Sequence, residues 1–344
     1  MNPLVWTVLI TGLSTGSIIT MMSHHWLLAW LGLELNTLSI LPIIIKPHHP
    51  RATEATTKYF LVQATAAMLI LFASTLNAWQ TGQWSIMTTT PIITTTLTLA
   101  LLLKLGVAPA HFWYPDVLQG STMRTALLIS TWQKLAPLSL LYMIINNAPT
   151  QVLFMGLLST LVGGWAGLNQ TQLRKIMAFS SIAHMGWLIT ATTINPSLAS
   201  ITLSTYIMMT SSVFHHMDNT TAKTISDLST AQVYYPAITT TTMVALMSLG
   251  GLPPMTGFMP KWLILKELAL MNMPFLCTML ALSSLPSLFF YIRMTYLISL
   301  TTAPSTHTMK HKWRFKNNHQ TYMTLTTILS LLLLPITPLM YNSL

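Results

Sequence analysis

The sequence predicts an all-α, polytopic membrane protein of about eleven transmembrane helices, and three observations support this prediction. Of the 344 residues, 52% are hydrophobic and 6% are charged, and the mean hydropathy is +0.58. A soluble globule of this composition would expose too much apolar surface. Apolar runs of the roughly 20 residues that cross a bilayer recur along the whole chain. Turn residues separate these runs, so each run is expected to be one helix.

The predicted spans follow one another with short connections. They cover approximately residues 3–22, 26–45, 57–79, 91–114, 123–146, 150–169, 175–194, 198–217, 237–271 (broken), 275–299 and 322–341. Turns such as Asn195-Pro196 end them. No stretch is long enough for a separate soluble domain, so residues 1–344 are expected to form a single transmembrane domain. Residues 300–344 would be a basic loop and a terminal helix.

The basic residues support the order of the spans. The net charge of +10 does not indicate nucleic-acid binding, because the cations occur one or two at a time between apolar runs. Alternate connections hold Lys46, Arg51, Lys58, Arg124, Arg174, Lys175, Lys223, Lys310, Lys312, Arg314 and Lys316, and the other connections hold no Lys or Arg. The positive-inside rule therefore predicts that the N-terminus and the basic loops face a matrix-like compartment, with the C-terminus on the opposite side.

The chain offers few groups for redox cofactors. Cys277 is the single cysteine, which excludes a disulfide framework within the chain and a cysteine-ligated iron–sulfur cluster. The eleven histidines show no pairs stacked along two helices, as a two-haem electron carrier requires. No Lys or Arg precedes Lys46, which argues against a signal peptide or a basic presequence. We therefore expect no cofactor and no metal site in this chain.

Two similar helix-breaking segments occur five spans apart. Residues Lys104–Pro109 (KLGVAP) in the fourth span resemble Leu249–Pro254 (LGGLPP) in the ninth. Proline and glycine interrupt a helix, and an odd offset reverses the direction in which the chain crosses the membrane. Matched broken helices of opposite direction are typical of inverted-repeat transporters. The alternative is a pair of ordinary proline kinks.

Four ionisable residues lie deep in the predicted spans. Glu34, Lys104 and Lys134 are near the middle of theirs, and Lys261 follows the break in the ninth span. A charge at the bilayer centre costs about 2.5–3.5 kcal/mol or more. A lysine side chain reaches about 6 Å, against roughly 15 Å to the membrane surface. These residues are therefore predicted to face inward and to carry protons. The alternative is a static Glu–Lys pair that locks two helices together.

Other polar residues are weaker candidates. His184 lies mid-span and is either a proton relay or a hydrogen-bonded core histidine. His111 and Asp116 close the fourth span and either mark the point where protons enter or leave, or anchor an aromatic-rich interface. Lys266 and Glu267 are adjacent on one half-helix, where one could cap the proton path and the other pair across helices.

The segment Lys104–Asp116 carries a family resemblance. It resembles the K-x-G-x-x-P-x-H-x-W-x-P-D signature of the antiporter-like proton-translocating subunits shared by Mrp-type cation/proton antiporters and respiratory complex I. Residues 180–186, and residues 251–258 with Lys261, resemble two further motifs of that family. The likeness extends along essentially the whole chain. Its length and its richness in Met and Thr are similar to a shortened mitochondrial member that lacks three N-terminal helices.

The resemblance implies an architecture and a site. It implies two inverted five-helix repeats, residues 1–146 and 150–299, each with a broken helix, followed by one C-terminal helix. Glu34 and Lys104 match the family's Glu–Lys pair, Lys134 its central lysine and Lys261 the lysine near the second broken helix. It also implies a place in the membrane arm of complex I, in the mitochondrial inner membrane. The partners would be other antiporter-like and small membrane subunits, accessory subunits and phospholipids.

The function implied is proton translocation without redox chemistry in this chain. NADH, FMN, the iron–sulfur clusters and ubiquinone would be bound by other subunits. Quinone reduction there would shift the Glu34–Lys104 attraction and pass a proton through Lys134 and His184 toward Lys261. Two alternatives remain from the sequence: a self-sufficient cation/proton antiporter and a structural scaffold of the arm. A self-sufficient antiporter should retain more acidic residues in its spans than Glu34 and Glu267.

Overall fold

The computed structural model describes residues 2–145, 149–301 and 321–336, and it consists of helices joined by short connections, with no β-strand in these ranges. The all-α fold class is confirmed. The chain divides into two compact units, one within residues 1–159 and the other within residues 160–344. Residues 302–320 and 337–344 lie outside the described residues. They include most of the predicted basic loop, with Lys310, Lys312, Arg314 and Lys316, and the end of the predicted terminal helix.

The first unit contains paired helices whose ends follow local sequence signals. Its helices are α1 (Pro3–Met22), α2 (Trp26–Ile45), α3 (Pro50–Thr81), α4 (Pro91–Leu105), α5 (Trp113–Gly120), α6 (Met123–Ser130), α7 (Trp132–Ile144) and the first half of α8 (Pro149–Gly167). Proline occupies the first position of α1, α3 and α4, where its fixed φ favours helix and its missing N–H costs nothing.

Helix α3 begins seven residues before the predicted span. Pro50 starts it, and the His49 side chain accepts a hydrogen bond from the Arg51 main-chain N–H. Arg51 and Lys58 therefore lie in the first turns of a helix, and their predicted position in a loop was wrong. The apolar run in the sequence starts later than the helix because the first turns of α3 carry polar residues.

The second unit contains the remaining helices. They are the second half of α8, α9 (Leu173–Ile194), α10 (Pro196–Thr220), α11 (Ile225–Tyr234), α12 (Pro236–Gly250), α13 (Phe258–Leu270), α14 (Pro274–Leu300) and α15 (Thr321–Leu332), followed by a short 3-10 helix, Leu334–Ile336. Helix α11 was not predicted from the sequence. A capping box fixes its start: Asp227 N–H donates to the Thr224 hydroxyl, and Thr224 N–H donates to the Asp227 carboxylate.

Several helices are long and apolar enough to cross a bilayer. In the described part of the chain there are seven: Pro3–Met22, Trp26–Ile45, Pro50–Thr81, Met123–Ile144 (α6 and α7 together), Thr150–Gly167, Pro196–Thr220 and Pro274–Leu300. Shorter apolar helices are Pro91–Leu105, Pro236–Gly250 and Met323–Leu332. The protein is therefore a multi-pass membrane protein, and the count of eleven spans stays a prediction.

Both predicted helix breaks are present. Helix α4 ends at Leu105, and Gly106 adopts a left-handed conformation with φ of 71°; helix α12 ends at Gly250, and Gly251 does the same with φ of 80°. Residues 106–112 and 251–257 then separate each helix from the half-helix that follows. These are true interruptions, since the chain leaves the helical path in both places, and the alternative of simple proline kinks was wrong.

A third break lies where a continuous helix had been predicted. Between α6 and α7, Thr131 has φ of −115° and ψ of −68°, and the helix restarts at Trp132. The sequence gives no clear signal here, because neither Gly nor Pro is at the break. Lys134 consequently lies in the first turn of α7, close to the interruption.

Candidate functional site

Two lysines of the first unit share one buried cavity. Lys104, in the last turn of α4, and Lys134, in the first turn of α7, are 5% and 3% exposed. The cavity offers about 10 Å³ to the centre of a water molecule, room for roughly one water. Its other lining residues are Leu33, Asn36, Thr37, Tyr59, Gln63, Leu105, Trp113, Tyr114, Ile129, Gln133 and Pro137. The structure thus brings together two lysines that are 30 positions apart in the sequence.

The Lys104 amine is held in an unusual environment. Its Nζ is buried and has no hydrogen-bond partner among the described residues. The Lys104 main-chain carbonyl, freed by the end of α4, accepts a hydrogen bond of 3.3 Å from the Gln63 side chain of α3. The backbone at the break is therefore satisfied while the amine is not. Burying an ammonium without a partner is costly, so the charge of this group depends on its surroundings.

Glu34 lies near this site without forming an ion pair. It is half-buried on α2, and its carboxylate accepts a hydrogen bond of 3.1 Å from the Thr37 hydroxyl. In the described ranges no salt bridge within 4.0 Å links it to Lys104. The alternative of a static Glu34–Lys104 lock is therefore wrong for this structure.

A chain of neutral polar side chains, which was not predicted from the sequence, lines the cavity. The Tyr59 hydroxyl is 3.4 Å from Gln133 Oε1, to which it donates, and Gln133 Nε2 donates to Asn36 Oδ1 at 3.0 Å. These residues lie on α3, α7 and α2 and connect three helices. Asn and Gln inside apolar runs were the signal that could have located them, since buried polar groups need partners.

Lys134 contacts the half-helix that follows the first break. Its Nζ lies 5.3 Å from the centre of the Tyr114 ring of α5. An aromatic face attracts a cation and more so where water is excluded. The position of α5 therefore influences how well the ammonium form of Lys134 is stabilised.

In the second unit, Lys261 interacts directly with the break. It is half-buried on α13, and its amine donates a hydrogen bond of 2.9 Å to the carbonyl of Gly250, the last residue of α12. A Cβ on Gly251 would lie 3.0 Å from this amine. The prediction that Lys261 lies at the second broken helix is confirmed, and its hydrogen bond caps the free carbonyl there.

The histidine candidates lie in contrasting places. His111 is 8% exposed in the first break, where its Nδ1 is 3.2 Å from the Pro109 carbonyl and its ring lies 4.4 Å from that of Phe112. His184 is half-buried on α9, with its ring 5.7 Å from that of Tyr206. Both histidines therefore contact aromatic rings, and their proton-relay roles stay predictions.

The remaining candidates are nearer the surface. The Asp116 side chain is 44% exposed and forms an ion pair of 2.8 Å with Lys58, which also pairs with Glu54 at 2.7 Å. Lys266 is exposed and Glu267 half-buried on α13, the half-helix that carries Lys261. Within the described residues, no group of three or more His, Cys, Asp or Glu side chains could hold a metal ion.

A helical membrane fold with a lysine at each of two interrupted helices is that of an antiporter-like, proton-handling membrane subunit. The pattern of the family described as NADH:quinone oxidoreductase/Mrp antiporter matches residues 23–287, and that described as the C-terminus of NADH dehydrogenase subunit 2 matches residues 288–341.

Sequence identity to known relatives supports this class. The NADH-ubiquinone oxidoreductase chain 2 of Oncorhynchus mykiss is 52% identical over 341 residues and that of Salmo salar 53% identical, each covering 98% of both chains. Our chain therefore belongs to the NADH:quinone oxidoreductase/Mrp antiporter family, in its NADH dehydrogenase subunit 2 branch.

Solved structures share the fold. A chain of respiratory complex I from Thermus thermophilus with bound aureothin superposes with a TM-score of 0.86 at 25% identity, over 97% of our chain and 78% of that one. A chain of the Mrp complex from Dietzia sp. gives 0.82 at 14% identity, over 97% and 76%, which concerns the fold alone.

Proposed function

We propose that this chain is a core membrane-arm subunit of the proton-pumping NADH:ubiquinone oxidoreductase and that its buried lysines carry protons. The family assignment supports the first part. The observation that carries the second part is the Lys104 amine, which is buried beside a helix break, without a hydrogen-bond partner, in a cavity shared with Lys134. A purely structural lysine would be expected to have its donors satisfied.

The coupling step acts through Glu34. Its carboxylate does not pair with Lys104, but its neighbours on α2, Leu33, Asn36 and Thr37, line the cavity that contains Lys104. A small approach of the two groups would favour the ammonium form of Lys104, and a small separation would favour release of its proton. Charge or water displaced by quinone reduction in other subunits would supply that movement. A movement of the Glu34 carboxylate would thus change how readily Lys104 binds a proton.

The next steps involve the remaining predicted residues. Lys134 receives the proton through the shared cavity, which has room for roughly one water. His184 then relays the proton toward Lys261. The hydrogen bond from the Lys261 amine to the Gly250 carbonyl would change if the second helix break changed its geometry. His111 and Asp116 would serve the points where protons enter or leave; of Lys266 and Glu267, one would cap the path and the other would pair across helices. Lys134 is the residue whose loss should be most damaging, because it is the central carrier.

The wider assignment includes topology and location. The chain would cross the mitochondrial inner membrane eleven times, as two inverted repeats and one terminal helix. Its N-terminus and basic helix ends would face the matrix and its C-terminus the intermembrane space. NADH, FMN, iron–sulfur clusters and ubiquinone would be bound by other subunits, so this chain performs no redox step. Its neighbours would be antiporter-like, small and accessory subunits, and phospholipids.

A mutant series in a bacterial counterpart tests the proton path. Lys134→Met and Glu34→Gln, made at the matching positions, should lower the number of protons moved per NADH oxidised in vesicles. Glu54→Gln is the matched control, because Glu54 is a surface carboxylate, 61% exposed. Unchanged stoichiometry for Lys134→Met in intact complex would leave only a scaffold role.

A self-sufficient antiporter is the second candidate, since the fold is also that of a chain in an Mrp complex. The purified chain, reconstituted alone in liposomes, should then exchange sodium for protons. We expect no exchange, because Glu34 and Glu267 are few acidic groups for binding a cation. Sodium-driven proton movement by the lone chain would overturn the assignment to coupled pumping.

A further inference from the structure

Helix α5 packs along α3 through a regular series of contacts. The Trp113 and Tyr59 rings meet edge to face at 5.8 Å, and Asp116 forms its ion pair with Lys58. Gly120 lies so close that a Cβ there would be 2.6 Å from both the Ala55 Cβ and the Arg51 carbonyl. Positions 113, 116 and 120 recur at helical spacing, so they form one face of α5.

The opposite face of α5 carries Tyr114. Two positions along a helix correspond to a rotation of about 200°, so Tyr114 points away from Asp116. Its ring lies 5.3 Å from the Lys134 amine and lines the cavity that contains Lys104. Whatever fixes the rotation of α5 about its axis therefore also fixes the Tyr114 ring against the proposed proton carrier.

The ion pair is the adjustable contact in this series. Helix α5 has eight residues and follows a break; Trp113, Tyr114, Pro115, Val117 and Leu118 are buried, whereas Asp116 is partly exposed. Gly120 fixes one end through backbone packing, and the ion pair lies one turn earlier on the same face. Lys58 is shared between Asp116 at 2.8 Å and Glu54 of its own helix at 2.7 Å. It can release Asp116 and keep a carboxylate partner. A polar pocket of about 190 Å³ beside this cluster leaves room for that change.

We infer that the Lys58–Asp116 ion pair positions half-helix α5, and through it the Tyr114 ring, for proton transfer at Lys134. Neither Lys58 nor Asp116 lines the cavity, so both act as positioning residues. The inference rests on the proposed function and adds to it two surface residues that control a buried carrier. It assigns Asp116 a positioning role in place of both a proton entry or exit role and a membrane-interface anchor.

The test uses the full chain assembled into the complex. Asp116→Asn and Lys58→Met should each lower the protons moved per NADH oxidised, by less than Lys134→Met does. The thermal midpoint of the complex should stay close to that of the unmodified complex, because the paired side chains are 41% and 44% exposed and such pairs add little stability. Thr57→Val is the control: Thr57 is exposed on α3 beside Lys58 and its hydroxyl bonds only to the Glu54 main-chain carbonyl, so both ion pairs stay in place and the variant should pump normally.

Exchange of the two charges distinguishes pairing from other roles. The double variant Lys58→Glu with Asp116→Lys restores an interhelical pair and should recover most of the proton yield. If the single variants do not assemble, the double variant alone decides. Assembly and proton pumping by the double variant support the inference, and the loss of either overturns it. Normal pumping by both single variants also overturns it. If Lys134→Met itself pumps normally, the proposed function fails instead, so the two failures are distinguishable.

Discussion

The Lys261 amine donates a hydrogen bond of 2.9 Å to the main-chain carbonyl of Gly250, where α12 stops. In the first unit, the Gln63 amide does the same for the Lys104 carbonyl, where α4 stops. A helix end leaves carbonyls without partners, and lipid cannot satisfy them. The two breaks are thus capped differently: by a neutral amide in one unit and by the proposed proton carrier itself in the other.

Removing the second cap should destabilise the break. Lys261→Met leaves the Gly250 carbonyl without its donor, which should cost about 1–3 kcal/mol. The thermal midpoint of the purified complex should therefore fall. Lys266→Met is the control, because Lys266 is exposed on the same half-helix. Equal midpoints for the two variants would contradict a capping role for Lys261.

The glycine after α12 should be needed for two separate reasons. Gly251→Ala places a side chain at φ of 80°, which costs about 1–2 kcal/mol, and brings the Cβ within 3.0 Å of the Lys261 amine. Gly82→Ala shares the left-handed φ, 71°, but its Cβ meets nothing within 4 Å. Both variants should lower the thermal midpoint, and only Gly251→Ala should also lower proton yield per NADH. Equal proton yields would show that the amine tolerates the displacement.

Gln63 should stabilise the first break. Gln63→Leu keeps similar bulk but removes the donor to the buried Lys104 carbonyl, at a cost of about 1–3 kcal/mol. The measurement is the denaturant midpoint of the assembled complex. Thr65→Val, on the exposed face of the same helix, removes only a local hydrogen bond to the Val62 carbonyl and should have a much smaller effect. A comparable loss in both variants would contradict the special role of Gln63.

The start of α11 should depend on pH. Hydrogen bonds from the main-chain N–H and side chain of Thr224, and from the Lys223 N–H, hold the pKa of Asp227 below its usual value. A lowered folded-state pKa stabilises the fold above the unfolded value, near 4, and this contribution is lost as pH falls through the folded value. Hydrogen-exchange protection of the Thr224 and Lys223 amides should therefore fall below about pH 4. In Asp227→Asn it should be low throughout; pH-independent protection in the unmodified chain would contradict this.

The prediction of local structure succeeded where a residue acts on its own backbone. The break after α4 and the break after α12 were predicted from Gly106 and Gly251 with the prolines that follow, because these residues exclude ordinary helix. The break at Thr131 was missed, since threonine is compatible with helix and the nearest helix-disfavouring residue, Pro137, lies six residues further on. The polar first turns of α3 and the short helix α11 were missed because apolar length was the main criterion.

Of the residues that line the cavity, the sequence pointed only to the two lysines. Lys104 and Lys134 stood out because a charge in an apolar run is costly anywhere in a membrane. Gln63, Gln133 and Asn36 did not, since neutral amides are tolerated in many apolar helices. Their role became visible only once the partners of each amide were known.

The sequence alone determined the membrane as solvent, the helical class, the two principal breaks and the buried lysines, because each depends on transfer energies and backbone preferences of neighbouring residues. The tertiary structure decided which polar groups meet. Lys104 and Lys134 share a cavity, Glu34 stays apart from Lys104, and Lys261 turns to the Gly250 carbonyl. Those relationships depend on how separate helices pack. No local sequence pattern determines a distance of a few ångströms between side chains on different helices.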